Sequence, residues 1–388
     1  MIVVFARGFI VGMIDSFFAD HIQYNSGHIK IINKEYEQQE RLLALNYPVN
    51  GFNNQGVNNM IIQLEKIENV DMVIPRIKFG AMSTTEEDFH TMMGWGVNPE
   101  KETQFTNIEK NIIEGRMIEP KKMEVILGEQ LLRKLDKNVG DKITFLYNTS
   151  YNSLKGATFK VVGKVRSGLK MLDETVFYLP LKQAQRLLYM DEQVTELLLV
   201  TPNRSMAKKV LPQIKDILNK NNPGKYLALS YRETSDILPF MEIAKLIYNQ
   251  IYIFLVLLAS FVVINTMMMI VKERTREIGM MSALGLESNK ILQLFMIEGA
   301  IMGIVGSFLG ALSGGILVSF LATKGINFSH AISGMSSEIL FNSTIYPVSS
   351  TGNVIFAFIL GIIIVTIAAM FPARKAARLE PTEALRKV

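Results

Sequence analysis

The chain has 388 residues, 49% of them hydrophobic and 20% charged, with 22 Met, 22 Phe and a mean hydropathy of +0.22. That balance excludes an ordinary soluble enzyme and points to partial burial in a membrane. The formal charge of +5 does not point to nucleic acid, because the basic residues cluster beside apolar stretches rather than in aromatic-interleaved runs. The absence of cysteine excludes a disulfide framework, thiolate metal sites and thiol catalysis.

In chain order, Met1 to Phe18 is apolar apart from Arg7 and Asp15 and lacks the basic leader and small-residue cleavage site of a secretory signal. Residues 1–22 therefore read as a first membrane helix, shortened at its start. Residues 25–240 have ordinary globular composition and mix strand-like with helix-like stretches, which predicts an extracytoplasmic α+β domain. Strands are expected at 28–32, 70–79, 142–146, 158–164, 175–179, 197–200 and 226–229, and helices at 57–67, 129–135, 181–189 and 206–219. Glu86, Glu87 and Asp88 read as a solvated loop.

From Ser235 an i, i+3, i+4 apolar rhythm runs unbroken into Ile251–Val271, 21 residues without a charge. One continuous helix should enter the membrane there and cross it at about 247–272, since about 1.5 Å per residue covers roughly 30 Å of hydrocarbon. Asn265 and Thr266 within it read as interhelical hydrogen-bonders. A third span at about 291–321 carries one charge, Glu298, which at roughly 12 Å along the helix should have a partner. Its glycines, Gly299, Gly303, Gly306, Gly310 and Gly314, share one helix face and predict a close-packing stripe. The fourth span, at about 354–371, should stop at Pro372.

Loop charges give the orientation. Lys272, Arg274, Arg276 and Lys290 lie between the second and third spans; Arg374, Lys375, Arg378, Arg386 and Lys387 follow the fourth; residues 325–353 carry no Lys or Arg. Lys and Arg in short loops stay on the cytoplasmic side, so loop 273–290 and tail 372–388 are expected inside, with loop 325–353 and the α+β domain outside and the N-terminus inside. The fold class expected is thus an α-helical membrane protein with four transmembrane helices and a large α+β domain between the first two.

The chain has no GxxxxGK[ST], GxSxG, HExxH or GxGxxG, and its four histidines, His21, His28, His90 and His330, are scattered. No catalytic residue, metal site or cofactor is expected on it.

Lys272-Glu273-Arg274-Thr275-Arg276-Glu277-Ile278-Gly279-Met280-Met281-Ser282-Ala283-Leu284-Gly285-Leu286 resembles the ERxREIGxxxALG signature of the FtsX-like permease family of ABC transporters. Pro372-Ala373-Arg374-Lys375-Ala376-Ala377-Arg378-Leu379-Glu380-Pro381-Thr382-Glu383-Ala384-Leu385-Arg386 is similar to that family's ending. Gly27-His28-Ile29-Lys30-Ile31, Val125-Ile126-Leu127-Gly128-Glu129 and Val139-Gly140-Asp141 resemble the MacB-like periplasmic core domain. The resemblance implies a type VII ABC permease of the bacterial inner membrane that transmits motion rather than conducting substrate. It implies a second permease, as homodimer or heterodimer, and a separate cytoplasmic ATPase that holds the ATP and Mg. Among such permeases the LolC/LolE type implies lipoprotein cargo and a periplasmic carrier or adaptor. MacB-like export of peptides or drugs, or FtsX-like activation of a cell-wall hydrolase, are the alternatives.

The residues expected to couple to the ATPase are Glu273, Arg274, Arg276, Glu277, Ile278, Gly279, Ala283, Leu284 and Gly285. Physically, Glu273, Arg274, Arg276 and Glu277 read as a charged extension of the second span, Gly285 as its break and Ser288 as the cap of the next helix.

Overall fold

Strands buried along most of their length, together with strands whose side chains alternate between buried and exposed, build a ten-stranded sheet. The structure, a computed structural model, describes residues 1–84, 88–235, 238–328 and 344–378. It divides into a helical unit, Met1–Asp15, Ile237–Asn327 and Thr344–Val388, and an α+β unit, Ser16–Asp236 with Phe328–Ser343. The chain begins with α1 (Ile2–His21), which ends in a π-turn, Ile22–Ser26. There follow β1 (Ile29–Asn33), α2 (Val57–Glu65), β2 (Met72–Thr84), β3 (Phe89–Val97), α3 (Pro99–Thr106), β4 (Ile112–Gly115) and β5 (Glu124–Gly128). Then come α4 (Glu129–Lys134), β6 (Lys142–Asn148), β7 (Leu154–Val165), α5 (Lys170–Thr175), β8 (Val176–Pro180), α6 (Leu181–Leu188), β9 (Glu196–Val200), α7 (Arg204–Asn221) and β10 (Tyr226–Ser230).

The strand order is β10-β1-β9-β2-β3-β8-β5-β7-β4, with β6 pairing both β2 and β7. Strands β2, β3, β8, β5, β7 and β6 therefore close on themselves as a small barrel, and β9, β1 and β10 continue from β2 as an open wing. Aromatic rings fill the barrel: Phe145 stacks on Phe177 at 4.1 Å, and Phe79 meets Tyr147 and Phe177 edge-on at 6.1 and 5.9 Å. The stretch holding β3 had not been read as a strand, because Gly94 and Gly96 weaken the pattern. Packing explains both: a Cβ at Gly94 would lie 2.3 Å from the Phe79 ring, and one at Gly96 would lie 2.5 Å from Ala184 Cβ. The helix α3 also went unread, although Asn98 caps it by accepting from Glu100 N and Lys101 N and Pro99 opens it.

The other face of the wing carries charge. Arg76 sits opposite Glu196 across β2 and β9. Glu196 receives Lys30 at 3.1 Å and Lys78 at 3.0 Å, Arg76 forks onto Glu102 at 2.5 and 3.1 Å, and Lys30 also reaches Glu40. Lys30, Arg76 and Glu196 are 0% exposed, so each charge persists only because its partners replace water. Burial acts to raise the Glu196 carboxyl, but Lys30, Lys78 and Arg76 overcome it and bring it down to about 2. Burial also draws Lys78 below its ordinary value despite Glu196, whereas Glu196 and Glu40 outweigh burial and hold Lys30 above its own.

The helical unit contains α8 (Leu238–Glu273), α9 (Thr275–Ala283), α10 (Ser288–Lys324), a two-stranded pair β11 (Ile326–Asn327) and β12 (Thr344–Ile345), and α11 (Thr351–Ala377). Among the described residues, four helices are long and apolar enough to cross a membrane: Ile2–Ser26, Leu246–Glu273, Ser288–Lys324 and Thr351–Ala377. A continuous helix is present as α8, from Leu238 rather than from Ser235, and α10 and α11 outrun the expected 291–321 and 354–371. Pro372 does not end α11. It lies buried inside the helix, where its lost N–H bond is offset by burial of Ala373 and Ala376 in the cluster around Ile278 and Phe295. Near α1, Val348 N donates to Gly8 O at 2.9 Å, and a Cβ at Gly12 would lie 2.2 Å from Tyr346 O, so two glycines open a groove for this connecting strand. Residues 85–87, with Glu86 and Glu87 of the expected solvated loop, residues 329–343, including His330, and tail residues 379–388 lie outside the described residues.

Because the folded value of Glu196 lies below the 4.5 of the unstructured group, its ion pairs stabilise the fold fully above pH 4.5 and lose that contribution as pH falls toward 2. Unfolding of the full chain in detergent by urea, followed by fluorescence of its single tryptophan, Trp95, should show a midpoint that drops through this window, with a shallower drop in Glu196→Gln. An identical pH slope in that variant would mean another group carries the dependence.

Candidate coupling site

The segment between α8 and α10 is built by two separate helix breaks. The first was not anticipated: rather than Glu273, Arg274, Arg276 and Glu277 extending the second span, α8 ends at Glu273 and Arg274 leaves helical geometry at φ −94°, ψ 13°. The Thr275 hydroxyl donates to Val271 O at 3.0 Å and Lys272 O at 2.9 Å, satisfying carbonyls that the break leaves open. The second break is at Gly285, as expected, with φ +91°. Leu286 N bonds Met281 O and Gly285 N bonds Ser282 O, both at 3.1 Å, the bond pair of a Schellman stop. Ser288 does not cap α10; Glu287 takes that place, with no side-chain bond.

Between the breaks lies α9, and its burial is one-sided. Ile278, 0% exposed, packs with Val271, Ile291, Phe295, Ala373 and Ala376, and Gly279 is buried beside it. Glu273, Arg274, Arg276, Glu277, Ala283 and Gly285 are exposed. Leu284 is 89% exposed and Met280, one turn before it, 47%. Met280 had not been singled out; its spacing from Leu284 was the available signal. The helix therefore presents two apolar side chains flanked by charges, on a segment anchored through Ile278.

Glu298 has a partner, Arg274, whose Nη1 lies 3.3 Å from its Oε1, with the side chains 51% and 25% exposed. A pair that open contributes at most about 1 kcal/mol, so it orients more than it stabilises. Glu298 also sits further along its helix than expected, because α10 starts at Ser288.

The glycine stripe does not pack as one seam. A Cβ at Gly299 would lie 2.5 Å from Ala369 Cβ, and one at Gly303 would lie 3.1 Å from Val365 Cβ, so these two glycines seat α11. Gly310 and Gly314 face Met1, and Gly314 also Val4, at 3.0–3.4 Å, while Gly306 faces open space. The stripe follows an α-helical face that winds from one neighbour to another, which leaves its middle glycine uncovered. Asn265 is exposed, with no hydrogen bond among the described residues. Thr266 bonds Val262 O of its own helix at 2.9 Å instead of a neighbour.

The model for the FtsX-like permease C-terminal matches residues 249–381, and that for the MacB-like periplasmic core domain matches residues 1–217. The chain belongs to the FtsX-like permeases with a MacB-like periplasmic core. It is similar to the lipoprotein-releasing system transmembrane protein LolC of Xylella fastidiosa, 23% identical over 322 residues covering 80% of this chain and 76% of that one. It is similar to LolE of Haemophilus influenzae, 26% identical over 340 residues covering 84% and 80%. The macrolide export ATP-binding/permease protein MacB of Bordetella avium matches 36% over 126 residues, 32% of this chain and 16% of that one. The chain is accordingly an ABC transporter permease of the LolC/LolE type.

Gly299→Leu should force α10 and α11 apart and cost about 1–3 kcal/mol, whereas Gly306→Leu should stay within about 0.5 kcal/mol of the parent. Thermal unfolding of the full chain in detergent measures both, and equal losses at the two positions would contradict the packing described.

Proposed function

We infer that this FtsX-like permease works with a separate cytoplasmic ATPase to release lipoproteins from the inner membrane, transmitting nucleotide-driven motion to its periplasmic domain. The observation that carries the reading is α9, whose apolar tip, Met280 and Leu284, stands exposed while Ile278 fixes the helix to α8, α10 and α11. An exposed apolar pair ringed by Arg276 and Glu277 suits a cleft on a soluble subunit. The ATPase would bind ATP and Mg. A second permease would complete the membrane part. The loop charges favour both termini and α9 inside and the α+β domain outside.

Lipoprotein release is favoured over export because likeness to LolC and LolE runs through 80% and 84% of the chain. The second reading, export of peptides or drugs with a periplasmic adaptor, is favoured by the higher identity to MacB over a shorter stretch.

Affinity purification of the tagged chain with mass spectrometry tests the reading. An ATPase together with acylated lipoproteins is expected; an ATPase with an adaptor and no lipoprotein would move the assignment to export, and no ATPase would overturn it. The double variant Met280→Asp/Leu284→Asp should retain the parent unfolding temperature, since both side chains are exposed, and lose more than tenfold of the co-purified ATPase. Arg274→Ala/Glu277→Ala should lower ATP-driven release while the chain still folds.

A further inference from the structure

The buried ion network does more than fill the wing of the sheet, because its spare donors go to the π-turn at the end of α1. Arg76 Nη1 donates to Tyr24 O at 2.7 Å, and Lys78 Nζ donates to Asn25 Oδ1 at 2.9 Å. Gln23 Nε2 donates to Thr106 O, on α3, at 2.7 Å. Three successive residues of one turn are thus each held by the domain. The turn has the i−5 bond of a π-helix, Gly27 N to Ile22 O at 2.8 Å, and leaves through Gly27 at φ +61°, where a Cβ would lie 3.0 Å from Leu199 O. Arg76 and Lys78 also stack over the Trp95 ring, at 5.0 and 5.1 Å.

The chain leaving the domain is fastened to the same place. His21 Nε2 lies 3.0 Å from Thr234 Oγ1, the rings of Phe18 and Tyr231 meet edge-on at 5.4 Å, and the Arg232 guanidinium lies about 6 Å from both ring centroids. Strand β1 pairs with β10 from Ile29 opposite Ser230 onward. The entering and leaving segments are therefore tied to each other and, through the turn, to two fully buried cations.

We propose that Arg76 and Lys78 are positioning residues that lock the Ile22–Ser26 turn to the sheet, so that the end of α1 and the α+β domain move as one rigid body and displacement of α1 reaches the domain undiminished. A hydrogen bond to a buried, ion-paired cation suits this role, since breaking it strands a charge in a dry site. The direction of use rests on the transport reading; the rigidity of the joint does not.

The test exploits the absence of cysteine. Spin labels at Ala19→Cys on α1 and Lys110→Cys in the domain, both exposed positions, report one distance in the full chain in lipid nanodiscs. The expected result is one narrow distribution, unchanged between nucleotide-free and ATP-trapped complexes. Gln23→Met/Asn25→Leu removes two of the three bonds that hold the turn without touching an ion pair, and Lys78→Met removes one of them from the sheet side while Glu196 keeps Lys30. Both should at least double the width of the distribution. With the partner ATPase present, both should keep ATP hydrolysis and lose more than fivefold of cargo release. Widths equal to the parent in both variants, or a parent distance that shifts with nucleotide, would overturn the joint. An unaltered narrow distance in a chain that recruits no ATPase would leave the joint standing and remove the transport reading instead.

Discussion

Glu196 is the carboxylate on which the arrangement of the α+β domain turns. Stripped of water, a charge is tolerated only where partners surround it, and Lys30 and Lys78 close on it from neighbouring strands. Once those cations and the neighbouring Arg76 are buried they require further acceptors, which fixes Glu40 on Lys30, Asn25 on Lys78, and Glu102 and Tyr24 on Arg76. The desolvation cost of one acidic side chain thereby specifies how the Ile22–Ser26 turn meets the sheet. A purely apolar interface of the same size would bind as tightly and specify far less.

The helical unit solves a different problem with small residues. Gly299 and Gly303 bring α10 against α11, and the buried run Pro372, Ala373 and Ala376 continues that contact to reach Ile278 on α9. The basic residues between them, Arg374 and Lys375, stay exposed. One helix thus serves both as a membrane-length apolar helix and as the floor on which α9 rests.

Much of this was legible from the residues. Uncharged apolar runs announce spans because hydrocarbon offers no partner to a bare backbone amide, and the turn at Gly285 announces itself because few other residues take its φ. What stayed hidden depends on neighbours distant in sequence. Gly94 and Gly96 look like breakers until Phe79 and Ala184 are seen against them, and Pro372 looks like a stop until its face is seen to be buried. Arg76 and Lys78 look like surface residues of a strand because alternation cannot distinguish a solvated face from one covered by a turn. Of the site itself, the signature residues, Leu284 among them, could be read directly, whereas the bond from Arg274 to Glu298 and the exposure of Met280 beside Leu284 needed three dimensions.

The length of α10 has a consequence for where such a protein can work. Its 37 residues extend about 55 Å, well beyond the roughly 30 Å of a hydrocarbon core. A helix with that surplus meets a thicker bilayer by drawing in its ends and a thinner one by tilting, each at a fraction of a kcal/mol per Å. Changes in lipid chain length with growth temperature would thus be absorbed at the helix termini, leaving the Gly299 contact with α11 in register.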